Sequence, residues 1–248
     1  MDTDLGLRER KKRQTRQLIS DVASGLFLMR GFDNVTVAEV AEAANVSAKT
    51  VFNYFPRKED LFLDRVPEVV ELVTRAVRDR PEGRPPLAAL RRLIFELLRS
   101  GHALSGIREG QQAFWQVILD SPALRARVRE ALEDLEALIA ALLAEATGAG
   151  PGDTDAGPGD TDAGPGDADA GSRDVHGGAG SGNVGGGPGS GDVDAELAAA
   201  LFLAAYRTVY VASARRMMAG ECAAEVMPDH LALLERAFDA VERACPGF

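Results

Sequence analysis

The segment Thr36 to Phe55, TVAEVAEAANVSAKTVFNYF, constrains the fold of this chain more than any other. Thr36 stands three residues before Glu39, the spacing of a capping box. The hydroxyl accepts from the Glu39 amide, and the carboxylate reaches back to the start of the helix. Val37, Val40, Ala41 and Ala44 then form one apolar helical face. Asn45 interrupts the run, and asparagine tolerates left-handed backbone better than most residues. Ser47 caps a second helix, Ala48 to Phe55. Pro56 ends it, since a proline in the helix interior loses a hydrogen bond and clashes. On this second helix Lys49 and Asn53 share a face, and so do Thr50 and Tyr54, each pair being four residues apart. Val51 and Phe55 point the other way, toward Val40 and Ala44. One side is fixed to a small core and the other is free. This is the division that a helix-turn-helix needs to enter a DNA major groove. Thr36 and Ser47 also place helix N-termini, with their amides, where phosphates could sit.

Charge supports an anionic partner for this end. The chain has a formal net charge of -10. Residues 1–58 nevertheless hold ten Lys/Arg against seven Asp/Glu, so the remainder carries the whole acidic excess. Such asymmetry is an electrostatic footprint. The segment from Thr36 to Phe55 has one basic residue, Lys49, against Glu39 and Glu42. Bulk attraction must therefore come from its flanks: Arg8 to Arg16 before it, Arg57 and Lys58 after it.

Elsewhere the pattern is helical. Leu18, Val22, Leu26 and Met29, with Ile19 and Phe27 beside them, mark a helix over 9–30 that Gly31 closes. A fourth helix is expected from Lys58 to Asp79 with a kink at Pro67, then helices at 86–104 and 107–120. Ser121 and Pro122 start a long helix, another runs about 25 residues from Ala195, and Leu231, Leu234, Phe238 and Val241 mark the last. The expected fold is all-α with about nine helices and no strand. Residues 148–193 differ in kind. Seventeen of the 26 glycines fall within 148–191, and a heptad repeats from Pro151, Pro158 and Pro165, as PGDTDAG twice and then PGDADAG, without an apolar stripe. Such a segment cannot bury enough surface to offset the entropy of ordering, and is expected to be a disordered loop. Asp153 and Asp155 have the spacing of a calcium loop, but its closing Glu is absent.

The residues of TVAEVAEAANVSAKTVFNYFPRKEDLFL resemble the DNA-binding domain of the tetracycline-repressor (TetR) family of bacterial transcription regulators. Thr36, Val40, Ala41, Ala44, Val46, Ser47, Thr50, Phe52, Tyr54, Phe55, Lys58 and Leu61 carry the resemblance, with Phe27 and Gly31 upstream. It covers roughly residues 8–65. It implies a DNA-binding domain over 1–65 and a helical regulatory and dimerisation domain over 66–248. It further implies that Thr36, Thr50, Tyr54 and Lys58 hold phosphates and that Lys49 and Asn53 read base edges, Lys toward guanine and Asn toward adenine. Arg8, Lys11 and Lys12 would add backbone or minor-groove contacts from a leading arm. The family usually has Gly where Asn45 stands and often Tyr where Phe52 stands, so no hydrogen bond is carried over to Phe52.

The resemblance implies a homodimer on a palindromic double-stranded operator, its last two long helices forming a four-helix interface. The small residues of AELAAALFLAAYRTVYVASARR suit such packing. Two recognition helices would then stand about 34–36 Å apart. It implies a small-molecule effector, which makes a ligand-responsive repressor the leading expectation and an activator of the same family the alternative. An interaction protein working through its acidic loop is a rival from another class. Polar and aromatic residues in the middle of the chain make His102, Gln111, Trp115 and Tyr206 candidate pocket anchors. Enzyme activity is not expected: the three histidines, His102, His176 and His230, are far apart, and no catalytic or nucleotide-binding fingerprint is present. No cofactor or metal is expected, because Cys222 and Cys245 form no ligand cluster with histidine. No apolar run of roughly 18 residues and no signal-type N-terminus is found, so the expected location is the cytoplasm.

Overall fold

The computed structural model describes residues 6–148 and 190–248. Among these, ten α-helices follow one another: α1 Leu7–Arg30, α2 Val37–Ala43, α3 Ala48–Tyr54, α4 Lys58–Phe62, α5 Val66–Arg78, α6 Pro86–Arg99, α7 Gln111–Asp120, α8 Pro122–Thr147, α9 Ser190–Met218 and α10 Ala223–Ala244. A 3-10 turn, Ala103–Ser105, lies between α6 and α7. The chain is all-α, with one more helix than the periodicity predicts.

The extra helix comes from Pro67. A continuous helix would leave the Leu63 carbonyl without its usual donor four residues on, since proline has no N–H. Instead the helix breaks into α4 and α5. The Leu63 carbonyl accepts from the Val66 amide at 3.1 Å, and Pro67 sits in the first turn of α5, where a missing N–H costs nothing. Helix α6 ends five residues before the expected boundary. Its last carbonyls are closed by the Gly101 amide on Leu98 (3.1 Å) and the His102 amide on Leu97 (2.9 Å).

The first core lies among α1 to α4. Ile19, Ala23 and Phe27 are its α1 residues and have no exposed surface. This corrects the expected stripe: Leu18 and Met29 are exposed, at 49% and 76%. The buried face is centred one residue later, because Phe27 anchors it between Phe32 (centroids 4.9 Å) and Phe62 (5.9 Å). Val40, Ala41, Ala44, Val51 and Phe55 fill the rest as expected. Val117 of α7 and Leu124 of α8 belong to the same cluster, so later helices contribute to the core of the first four.

The second core joins α5, α6, α8, α9 and α10, with Phe202 stacked on Phe238 at 4.7 Å. Helix α9 begins at Ser190 rather than near Ala195, so residues 190–193 of the expected loop are helical. Gly148 closes α8 with a left-handed cap (φ 73°). The rest of that loop, with its repeat and the Asp153/Asp155 pair, lies outside the described residues. Helix α9 is long and apolar enough to cross a membrane, which the expectation of no such segment missed. Its inner face, however, is buried in protein through Ala195, Ala198, Ala199, Phe202 and Val209.

Cys222 and Cys245 flank α10 as its two caps and are free thiols. Between α9 and α10 the fully buried His230 faces the Ser213 hydroxyl through Nδ1 at 2.8 Å. Its Nε2 has no partner among the described residues. Burial pulls the imidazole down from 6.5 to about 4. The unfolded chain therefore takes up a proton on this histidine before the folded one does. Its contribution is fully present above pH 6.5 and is lost as pH falls toward 4. Thermal unfolding from pH 7.5 to 4.5 is expected to show a falling Tm that His230→Gln flattens. Equal slopes for both proteins would rule the assignment out.

Candidate nucleic-acid interface and effector cavity

The turn between α2 and α3 forms as its sequence demands. Asn45 has φ 52°, the sole positive value at a non-glycine position among the described residues. Ser47 caps α3, its Oγ accepting from the Thr50 amide at 3.0 Å and lying 2.8 Å from Thr50 Oγ1. Lys49 and Asn53 are exposed, Thr50 and Tyr54 half-buried, and Val51 fully buried. Phe52 is 50% exposed on the same helix. An apolar ring on an outward helix face suits a thymine methyl group or a deoxyribose. Sequence reasoning assigned Phe52 nothing; its outward position was the signal.

Two expected phosphate contacts already have internal work. Thr36 donates both its amide (2.7 Å) and its hydroxyl (2.8 Å) to Glu39 Oε2. Glu39 also accepts from Arg30 at 2.8 Å. The Thr36 amide, then its hydroxyl and Arg30, draw the Glu39 carboxyl down to about 2. A phosphate at Thr36 would have to displace that carboxylate. Lys58 Nζ donates to the Phe32 carbonyl at 2.6 Å and sits 4.1 Å from the centre of the Phe32 ring. Burial holds its ammonium below the ordinary lysine range. Two further N–H donors remain on Lys58.

The basic flanks divide similarly. Arg8, Lys11 and Lys12 are exposed, but they stand on the first turns of α1 rather than on an extended arm. Their spacing places all three on one side of that helix. Arg16 instead donates to the Asp64 carbonyl at 2.8 Å and covers the Phe55 ring. Arg57 pairs with Glu130 of α8 at 2.6 Å.

Several contacts join the first four helices to α7 and α8. Ser121 donates to Asp33 at 2.8 Å, Arg127 to Asp60 at 2.9 Å, and Phe114 stacks on Phe62 at 4.6 Å. Behind this junction lies a cavity of about 290 Å³ between α5, α6, α8 and α9. A second cavity, about 350 Å³, lies at the junction and takes in Ser24 of α1 and Phe62 of α4. Leu63, Val66, Val69 and Leu104 line both.

The four candidate anchors do not meet in one place. Tyr206 lines the cavity between α5, α6, α8 and α9, and Gln111 the junction cavity. The Trp115 indole N–H donates to the Tyr210 hydroxyl at 2.7 Å, and Tyr210 stacks on Tyr206 with centroids 5.9 Å apart. Burial pushes both phenols above their usual range. His102 lines neither cavity: Nδ1 accepts from the Leu104 amide at 3.3 Å, and Nε2 lies 3.5 Å from Glu68. Gly106 is the residue that sequence reasoning overlooked. Its φ is 68°, and a Cβ there would meet the Tyr210 hydroxyl at 2.4 Å. Tyr210 thus keeps its place between the cavities because position 106 has no side chain.

A helix-turn-helix with an exposed polar recognition face, seated on a helical domain with an apolar cavity, defines a DNA-binding transcriptional regulator. Comparison with known proteins agrees. The sequence model of the bacterial regulatory proteins of the tetR family matches residues 19–64. The transcriptional regulator TcmR of Streptomyces glaucescens is 32% identical over 152 residues, covering 60% of this chain and 67% of that protein. LuxR of Vibrio harveyi is 43% identical over 60 residues, 24% of this chain and 27% of its own length. Among solved structures, the Thermus thermophilus repressor FadR, in complex with lauroyl-CoA, is 26% identical. That likeness covers 90% of this chain and 94% of FadR, with a TM-score of 0.43. The chain belongs to the TetR family, a non-enzymatic family of DNA-binding transcriptional regulators.

Proposed function

We propose that the protein is a ligand-responsive repressor that binds a palindromic operator as a homodimer. Ser47, Thr50, Tyr54 and the remaining donors of Lys58 hold phosphates, Lys49 and Asn53 meet base edges, and Phe52 adds an apolar contact. Thr36 acts mainly by fixing where α2 starts. Arg8, Lys11 and Lys12 add attraction along the duplex.

The observation that carries the ligand response is the wall shared by the two cavities. Leu63, Asp64 and Arg65 link α4 to α5, and Leu63 borders both spaces. Asp64 in the same link is tied to α1 by Arg16 (2.8 Å) and by the Ser20 hydroxyl (2.5 Å). An occupant that moves the link moves α1 and α4 with it, and so changes how the recognition helices meet the groove. Ligand and operator then oppose each other through one conformational equilibrium.

Support for the dimer comes from α9. Val193, Leu197, Leu201, Val211 and Met218 are exposed along one side of the helix. They are spaced as the seam of packed helices is, and Leu233 of α10 is exposed as well.

Genomic footprinting with the purified protein gives the operator. On that operator, Asn53→Ala is expected to cost about 1–3 kcal/mol and to relax preference at one base pair, with affinity for random DNA unchanged. An equal loss on both DNAs would contradict the base-reading role. Lys58→Ala is a poorer probe, because it also removes the tie to Phe32.

A further inference from the structure

We propose that the apolar cavity between α5, α6, α8 and α9 selects an uncharged or cationic apolar molecule and rejects anions. The inference rests on the reading of that cavity as the effector site. Its lining comes mainly from α5, α6, α8 and α9, with Leu63 and Leu104 beside them, and Asp134 and the Tyr206 hydroxyl are the polar side-chain groups on it. Val73, Leu90, Ile139 and Phe202 are buried there. Tyr206 is a neutral phenol that burial keeps protonated. Asp134 is the single formal charge on the wall, and it is negative. Its side chain is 78% exposed, which puts it at the rim.

Among the described lining residues there is no lysine, arginine or histidine, and the arginine beside Asp134 is already matched by carboxylates. Arg127 lies 2.9 Å from Asp60, 3.6 Å from Glu130 and 3.8 Å from Asp134. Arg65 lies 3.7 Å from Glu68. A carboxylate or phosphate on the ligand would lose its hydration on entry and meet no cation on the wall. It would also meet the like charge of Asp134 at the rim, where water weakens the repulsion without removing it. A neutral molecule avoids that cost. A cationic end left at the rim gains Asp134 as a counter-charge while its apolar body fills the cavity.

The test uses the full chain and three ligands with the same ten-carbon tail: decanol, decyltrimethylammonium and decanoate. Each displaces N-phenyl-1-naphthylamine, an uncharged apolar fluorophore, at neutral pH and below micelle-forming concentrations. Decanol and decyltrimethylammonium are expected to displace it at concentrations at least about tenfold lower than decanoate. Asp134→Asn is expected to narrow the gap between the cation and the anion several-fold and to leave decanol unchanged. Asp134 is exposed, so this variant keeps the fold.

Decanoate binding as tightly as decanol would overturn the inference while leaving the effector cavity in place. An unaltered cation-to-anion gap in Asp134→Asn would overturn the role of Asp134. If the fluorophore and all three ligands fail to bind, the effector-cavity reading falls and the inference falls with it. Release of operator DNA by decanol is scored separately, since binding without release contradicts the switch and not the selectivity.

Discussion

Leu197→Arg is expected to give a folded monomer whose operator affinity is at least about a hundredfold below that of the unaltered protein. Leu197 is 55% exposed, so the substitution leaves the buried face of α9 intact and helix content should not change. The arginine stands in the middle of an apolar stripe that a second copy would cover. A charge there would be buried without a partner, which such an interface does not tolerate. Operator affinity falls because two linked recognition helices bind far more tightly than one. Linking two sites commonly raises apparent affinity by about a hundredfold to ten-thousandfold. Sedimentation velocity reads the oligomeric state, fluorescence anisotropy reads affinity, and circular dichroism checks the fold. A Leu197→Arg protein that remained dimeric and bound operator normally would remove α9 from the interface.

The second large effect concerns Phe27. Its ring has no exposed surface and lies between Phe32 and Phe62, with the Lys58 ammonium 5.7 Å from its centre. Three elements therefore close on one side chain: α1, the turn after it, and α4. Phe27→Ala is expected to destabilise the protein by about 3–5 kcal/mol, the usual cost of truncating a buried phenylalanine. The space it leaves cannot collapse without moving α4. Denaturant unfolding followed by circular dichroism measures the loss, and operator binding should weaken with it. A loss below about 1 kcal/mol would mean that the surrounding rings close the gap, and that Phe27 does not organise this core.

The parts of the fold that were legible in the sequence are those set by local chemistry. Thr36 with Glu39, Asn45, Ser47 and Pro56 each act within four residues of themselves, and the chain forms both caps and the left-handed turn where they predict. The alternation of Val51 and Phe55 against Lys49 and Asn53 gave the two faces of α3. Local reasoning misplaced what depends on distant partners. The buried face of α1 is set by Phe32 and Phe62, so Leu18 and Met29 looked internal on spacing alone. The kink expected at Pro67 is a full break, because the freed Leu63 carbonyl finds the Val66 amide. For the candidate site, residue type singled out candidate DNA-facing positions but could not reveal that Thr36 and Lys58 spend donors inside the protein. The apolar cavity was almost illegible. It is walled by ordinary leucines and valines from four helices, and nothing in their spacing distinguishes a cavity wall from a filled core. Polar residues drew attention instead, and of the four chosen, Tyr206 lines that cavity.

The burial of Val117 and Leu124 among the side chains of α1 to α4 has a consequence for building hybrid regulators. An exchange that moved residues 1–65 alone onto another effector domain would leave the hole for these two side chains to be filled by whatever the host supplies. Asp33, Asp60 and Arg57 would lose Ser121, Arg127 and Glu130 in the same exchange. The unit that travels intact is discontinuous in sequence: the first four helices together with α7 and the opening turns of α8. A recipient matched at those positions inherits the packed four-helix unit together with the surface that joins it to the helices behind it.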